Sequence, residues 1–210
     1  MTSAPILYSF RRCPYAMRAR LAVSVAQIEV ELREIVLRDK APEMLEASPK
    51  GTVPVLVKGS QVIEESFEIM EWALGQNDPQ GWLEGVDLDL IREADGPFKD
   101  ALDRTKYHVR FEGVDPEEEW AKANAFLAKI ASKLSPNLGG GTSNLTDMAI
   151  LPFVRQFANI DRVRFDGEQP KALVEWLDSF LAAPLFLSIM TKYPKWEQGD
   201  EITLFPEPEV

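Results

Sequence analysis

The chain of 210 residues contains a single cysteine, Cys13, and a single histidine, His108. One cysteine cannot close an internal disulfide or build a thiolate zinc site, and one histidine cannot build a His-rich centre, so no metal is expected. Long apolar runs are missing as well. No stretch approaches the about 18 to 20 residues of a membrane-spanning helix, and Met1 to Pro5 lacks a basic start followed by an apolar run. No membrane partner is therefore expected, and a reducing cytoplasmic location suits the lone thiol. Positive charge is scarce: 23 lysines and arginines face 34 aspartates and glutamates, a formal charge of -11. Such a field repels a phosphate backbone, so nucleic acid is not an expected partner either.

What is present is the composition of a globular protein, 45% hydrophobic and 27% charged, long enough to bury one large core or two small ones. The pattern changes partway along. Short β-like runs alternate with helical ones up to about residue 77, and everything after about residue 87 reads as helix. The expected organisation is an α/β domain over 1–77, a linker over 78–86 and an all-α domain over 87–210.

In the first part, Ile6, Leu7 and Tyr8 read as a buried strand, followed by a helix beginning at Pro14, whose missing N–H has no partner to lose in a first helical turn. That places Cys13 at the N-cap. Val30, Leu32 and Glu34 read as a second, parallel strand, and residues 38–50 as a polar linker. Val53, Val55 and Val57 form a third strand, with a Lys58-Gly59-Ser60 turn leading to a fourth over Gln61 to Ile63. Ser66 to Leu74 reads as a helix ended by Gly75. The order is βαβ and then ββα. Beyond the linker, helices are expected over 88–109, 116–134, 145–160, 169–181 and 185–192, with an irregular tail from Phe205 to Val210. Trp72, Trp120 and Trp176 fall within helical patterns as core residues, and Trp82 follows the linker. Gly139-Gly140-Gly141 lacks the lysine of a phosphate loop and reads as a connector, Asn144 with Asp147 as a capping box, and His108 as a surface or packing residue.

Cys13 is the residue on which chemistry can be built. A helix N-terminus and nearby cations lower a thiol from its ordinary value of about 8.5, and Arg11, Arg12 and Arg18 lie close by in sequence. The alternative, a small buried hydrophobe, does not account for a cysteine set between Arg12 and Pro14 where a strand opens into a helix. Thr52-Val53-Pro54 interrupts a strand with a residue that cannot donate a ladder hydrogen bond. With a cis bond before Pro54, the Val53 amide and carbonyl would face outward to pair with an extended peptide. Glu65-Ser66 opens a helix, where a hydroxyl and unpaired N–H groups can receive a carboxylate and the Glu65 side chain an ammonium.

Together these residues resemble the cytosolic glutathione transferases, most closely the cysteine-type omega class and its bacterial relatives. Phe10-Arg11-Arg12-Cys13-Pro14-Tyr15-Ala16 is similar to the omega-type active-site segment, and Pro49 to Leu56 followed by Glu65-Ser66 is similar to the family's glutathione-site signature. Asn144-Leu145-Thr146-Asp147 resembles its helix-capping segment. The resemblance covers essentially the whole chain and implies a thioredoxin-like domain followed by a helical one.

It further implies that Cys13 is the nucleophile, that Val53 pairs with the cysteinyl part of glutathione beside a cis Pro54, and that Glu65 and Ser66 hold the γ-glutamyl end. Lys40 would meet the glycine carboxylate, a solvated lysine being the alternative. Alanine at position 16 removes the second cysteine of a dithiol cycle, so a second glutathione must resolve the mixed disulfide. The implied activity is thiol transfer, deglutathionylation or dehydroascorbate-type reduction, with a small electrophile or mixed disulfide as the other substrate. Glutathione would be a co-substrate, no resident cofactor is implied, and the family suggests a homodimer. The rival is a non-catalytic transferase-like protein, either a regulator of the stringent-starvation type or a carrier of apolar ligands.

Overall fold

The computed structural model describes residues 4–207. The chain divides into two compact units: residues up to Gln80 together with those from Ala183 onward, and Gly81–Ala182.

The first unit contains β1 (Ile6–Ser9), α1 (Pro14–Val25), β2 (Val30–Glu34), α2 (Pro42–Ala47), β3 (Val55–Lys58), β4 (Gln61–Ile63) and α3 (Ser66–Leu74). From the C-terminal stretch it adds α10 (Pro184–Ile189) and β5 (Leu204–Phe205). Among the described residues the sheet order is β4-β3-β1-β2-β5. The β1 and β2 strands run parallel with Ile6 opposite Glu31, while β3 is antiparallel to β1 with Ile6 opposite Val57. This is the thioredoxin-like fold, with the parallel pair joined by the α1 crossover. Leu7, Leu32 and Leu56 are buried in the sheet, and α1 and α3 cover it with Met17, Leu21, Ile69 and Met70.

The second unit is helical: α4 (Leu88–Glu93), a π-helical turn (Ala94–Phe98), α5 (Lys99–Lys106), a 3-10 turn (His108–Arg110), α6 (Pro116–Lys133), α7 (Leu145–Ala158), α8 (Arg162–Glu168) and α9 (Lys171–Ala182). Its core includes the stacked rings of Phe98 and Phe126 and the Trp120–Phe157 pair. Trp120 and Trp176 are buried as expected, whereas Trp72 is only half-buried. Trp82 is fully buried, and its carbonyl accepts from the Leu145 amide at 2.9 Å.

Several details differ from the sequence reading. The stretch read as a polar linker contains α2, a helix too short to show a period, begun by Pro42 and anchored by fully buried Met44. Strand β3 starts at Val55 and not at Val53, because Pro54 has no N–H for the ladder. The helix expected over 88–109 is broken, since Pro97 cannot make its backbone bond and the chain widens into a π turn there. An additional helix, α8, is capped by Asp161, whose carboxylate accepts from the Arg164 amide.

The largest departure is at the C terminus, where the helical domain was expected to run to residue 210. The chain instead returns to the first unit from Ala183 onward. Phe205, read as the start of an irregular tail, instead belongs with Leu204 to a strand that pairs with β2, Val30 opposite Phe205. A two-residue strand has no periodicity to read; burial of Phe205 and an exposed β2 edge determine its place. Pro208, Glu209 and Val210 lie outside the described residues.

The capping box formed by Asn144 and Asp147 is present. Asp147 is fully buried and receives four N–H groups: Leu138 at 2.8 Å and Trp176 Nε1 at 2.9 Å on Oδ1, with Gly139 and Asn144, each at 3.0 Å, on Oδ2. The glycine run thus serves this cap: a Cβ on Gly139 would lie 2.6 Å from the Thr142 carbonyl. An amide at 147 would oppose its own NH2 donor to two of these donors. Asp147→Asn should therefore destabilise the protein by about 2 to 4 kcal/mol, read as a lower urea midpoint at unchanged slope. A loss below about 0.5 kcal/mol would show that the carboxylate is not needed.

Candidate functional site

The residues singled out in the sequence lie on three neighbouring pieces of the first unit. They are the turn from β1 into α1, the loop 48–54 before β3, and the start of α3. The β1 strand ends at Ser9, and the following turn closes with the Cys13 amide donating to the Phe10 carbonyl at 2.9 Å. Cys13 is the N-cap of α1 with Pro14 in the first turn, and its carbonyl accepts from Met17 N–H at 2.9 Å. The sulfur is partly accessible, and its thiol donates to the Val53 carbonyl at 3.6 Å.

Val53 lies in a bend, and the Val53–Pro54 bond is cis. Two residues earlier, Gly51 has φ +64 and donates its amide to the Ser48 carbonyl at 3.0 Å. A Cβ there would meet Lys40 Nζ at 3.2 Å and Leu45 Cδ2 at 3.2 Å. Glycine is thus required both by its backbone and by the side chain lying across it. Lys40 reaches from the segment before α2 to the loop that presents Val53.

Ser66 is the first residue of α3 and is buried, and its hydroxyl accepts from Arg18 Nε at 2.9 Å. Arg18 is buried too, with its guanidinium 5.3 Å from the Tyr15 ring and 6.0 Å from the Phe67 ring. It therefore holds Ser66 from within and does not add an exposed charge at the mouth of the site. The hydroxyl keeps its own proton to donate. Glu65, the N-cap of α3, is ion-paired with Lys50, both side chains being about half exposed. That pair raises the Lys50 ammonium above its ordinary value, chiefly through the hydrogen bond. An exposed pair of this kind contributes little and is readily exchanged.

Cys13, Val53 and Lys40 are thereby linked through loop 48–54, and Lys50, Glu65, Ser66 and Arg18 close the perimeter back to α1. Arg12 is exposed, 5.4 Å from the Phe10 ring, and Arg11 is half-buried. His108 lies in the helical unit, exposed, with Nδ1 3.3 Å from the Thr105 carbonyl. Among the described residues there is no cluster of histidine, cysteine and carboxylate side chains able to hold a metal, and no helix is long and apolar enough to cross a membrane.

One constellation escaped the sequence reading. Arg20 is fully buried and pairs through Nη2 with Glu34 Oε2. Its Nε donates to Ser9 Oγ at 2.8 Å and its Nη1 to the Ile189 carbonyl at 3.0 Å. Burial pulls the guanidinium below its ordinary value, and the Glu34 carboxylate opposes the shift. The other Glu34 oxygen, Oε1, accepts from the Arg11 amide at 2.7 Å. A signal was available: Arg18 and Arg20 alternate with Met17, Ala19 and Leu21 on a helix whose neighbours are all apolar. Arginines so placed need buried acceptors.

Residues 7–81 match the family described as Glutathione S-transferase, N-terminal domain. A pyrimidodiazepine synthase of Drosophila melanogaster is 26% identical over 196 residues, covering 87% of this chain and 79% of the relative. A probable glutathione S-transferase, parA, of Nicotiana tabacum is 27% identical over 186 residues, covering 81% and 82%. Among solved structures, glutathione transferase Omega 3C from Trametes versicolor superposes with a TM-score of 0.75 at 19% identity, over 92% of each chain. A Tau class glutathione S-transferase from Mangifera indica gives 0.74 at 22% identity, over 91% of this chain and 94% of that one. The chain thus carries the glutathione S-transferase fold over about nine-tenths of its length, and its residues 7–81 match the N-terminal domain of that family.

Proposed function

We propose that this protein is a cysteine-type glutathione transferase, omega-like in its chemistry, in which Cys13 performs glutathione-dependent thiol transfer. The observation that carries the reading is the placement of the chain's one sulfhydryl at the N-cap of α1, in hydrogen-bond contact with the Val53 carbonyl. The naming of the tobacco relative as a probable glutathione S-transferase supports glutathione as the substrate. The reading carries with it a cytoplasmic homodimer with no resident cofactor, glutathione serving as co-substrate.

On this reading glutathione lies along loop 48–54 as an added strand, its cysteinyl backbone on Val53. Lys40 takes the glycine carboxylate. Ser66 accepts from Arg18 and donates its own proton to the γ-glutamyl carboxylate, while Glu65 exchanges Lys50 for the γ-glutamyl ammonium. The Val53 carbonyl is the acceptor that the Cys13 thiol now uses, and only the protonated sulfur can donate to it. A peptide pairing with Val53 therefore competes with the neutral thiol, and the helix N-terminus is left to favour the anion.

The thiolate attacks the glutathionyl sulfur of a mixed disulfide. The Cys13–glutathione disulfide forms as the substrate S–S bond breaks, and the released thiolate takes a proton from water. A second glutathione thiolate attacks that disulfide, giving oxidised glutathione and regenerating the Cys13 thiolate. One disulfide is exchanged for another: the substrate's glutathionyl group and the second glutathione become oxidised glutathione, and the substrate leaves as a thiol. Removal of glutathione from a conjugate follows the same course, the carbon–sulfur bond breaking and the carbon taking a proton. Dehydroascorbate-type reduction consumes two glutathiones, which leave as oxidised glutathione as the substrate takes up two electrons and two protons. Conjugation should be slow because the cysteine forms a disulfide with glutathione instead of activating it.

Incubation with oxidised glutathione should add one glutathionyl group to the intact protein, located at Cys13 by mass spectrometry. Cys13→Ser should lower thiol-transfer turnover by about 100-fold or more, and a loss below threefold would refute the nucleophile. Lys40→Ala and Ser66→Ala should each raise the KM for glutathione about tenfold with kcat little changed, the worth of one charge-assisted hydrogen bond. Calorimetric titration decides against the non-catalytic rival. Absence of binding at millimolar glutathione would favour it.

A further inference from the structure

The segment from Ile189 to Phe205 does more than cover an edge of the sheet. It meets the turn that carries Cys13 through a chain of buried polar contacts. Glu34, the last residue of β2, is the hub. Its Oε1 accepts from the Arg11 amide at 2.7 Å, and that amide belongs to the three-residue turn between Ser9 and Cys13. Its Oε2 is held by Arg20, and its backbone carbonyl accepts from the Trp196 amide at 2.9 Å. Arg20 in turn donates to the Ile189 carbonyl and lies near the Tyr193 and Phe205 rings, 5.8 and 5.9 Å from their centres. Arg11 also extends its own Nη1 to the Met190 carbonyl at 3.4 Å. Farther along, the Leu32 amide donates to the Thr203 carbonyl at 2.8 Å, continuing the β2–β5 pairing.

We infer that Glu34 is a positioning residue for Cys13 and that the C-terminal segment 189–205 is part of the nucleophile's support. The inference rests on the reading of Cys13 as the reactive group. A buried carboxylate with both oxygens occupied has little freedom, and an amide bonded to it shares that restraint. Cys13 follows that amide by two residues. A shift of the Arg11 backbone therefore changes how the sulfur lies against the Val53 carbonyl and the first turn of α1. The C-terminal segment enters because it supplies one of Arg20's acceptors, two nearby rings and the backbone donor on Glu34. Without these, the guanidinium that fixes the carboxylate would be partly unsatisfied in a buried place.

The test compares Glu34→Gln with Glu34→Ala. Both remove the same charge, but only glutamine keeps an oxygen for the Arg11 amide, so an electrostatic or global effect is common to both and positioning appears as their difference. The charged groups around the turn are Arg11 and Arg12 within it, Arg18 and Arg20 on α1, and Lys40 ahead of α2, all identical in the two variants. The readout is the pH profile of Cys13 alkylation by iodoacetamide, which requires no glutathione.

The midpoint in Glu34→Ala should lie at least about half a unit above that in Glu34→Gln, toward the about 8.5 of an ordinary thiol, and its rate at pH 7 should be roughly threefold lower. Tyr193→Leu, which alters no formal charge at neutral pH and removes one ring beside Arg20, should move the midpoint upward from the wild-type value. Equal midpoints in the two Glu34 variants would overturn the inference. Should those variants fail to fold, an unchanged midpoint in Tyr193→Leu would overturn it. A wild-type midpoint already near 8.5 would count against thiolate chemistry at Cys13, an outcome separate from whether the variants differ.

Discussion

The ion pair between Arg20 and Glu34 is the constraint on which the first unit depends. It lies where the end of β1, helix α1, the end of β2 and the returning C-terminal segment meet, and each of these elements gives it a partner. Breaking such a pair by removing one partner typically costs about 3 to 5 kcal/mol, because the remaining charge is stranded. A matched apolar pair in the same volume can be equally stable. The value of the charged version therefore lies in geometry: a guanidinium and a carboxylate accept only certain directions of approach. Ser9, Arg11 and Ile189 are fixed relative to one another by those directions.

Much of the fold was legible in the sequence. The order βαβ-ββα, the N-cap position of Cys13, the helix opening at Ser66 and the Asn144–Asp147 capping box all rest on local signals: strand alternation, Pro14, Gly75 and side chains three residues apart. Where the reading failed, the cause was non-local or too short to carry a period. Helix α2 has six residues and β5 two. The break around Pro97 was visible as a proline within a helical pattern, and the amphipathic period on either side concealed it. The return of residues 183–207 to the sheet depends on what β2 leaves unpaired, which no window of sequence around Phe205 records.

The site was legible to a different degree. Residue types and their spacing indicated Cys13, Val53, Pro54, Glu65 and Ser66, the family resemblance alone added Lys40, and the fold places them around one loop and two helix starts. Their present partners could not be read in the same way. That Lys50 occupies Glu65, that Arg18 donates to Ser66 and that Lys40 lies across Gly51 are consequences of side-chain packing between segments distant in sequence. Arg18 is the instructive case. Counted as a cation near the thiol, it is a buried donor whose Nε holds the Ser66 hydroxyl.

The acidity of the whole chain and the chemistry of its one thiol can be reconciled through these partners. A net charge of -11 disfavours both an anionic substrate and a thiolate at long range. At short range the balance is altered, because two acidic side chains of this unit are paired with cations, Glu34 with Arg20 and Glu65 with Lys50, while Glu64 accepts from the Ser48 hydroxyl. Pairing with a cation shortens the reach of Glu34 and Glu65, whereas the first turn of α1 presents its positive end to the sulfur at close range, an effect that weakens with salt. On the thiol-transfer reading, the resting contact of Cys13 with the Val53 carbonyl then becomes useful. It places the sulfur beside the acceptor a bound peptide would use, so that binding removes a bond only the thiol form can make and adds to the pull of the helix N-terminus toward the anion.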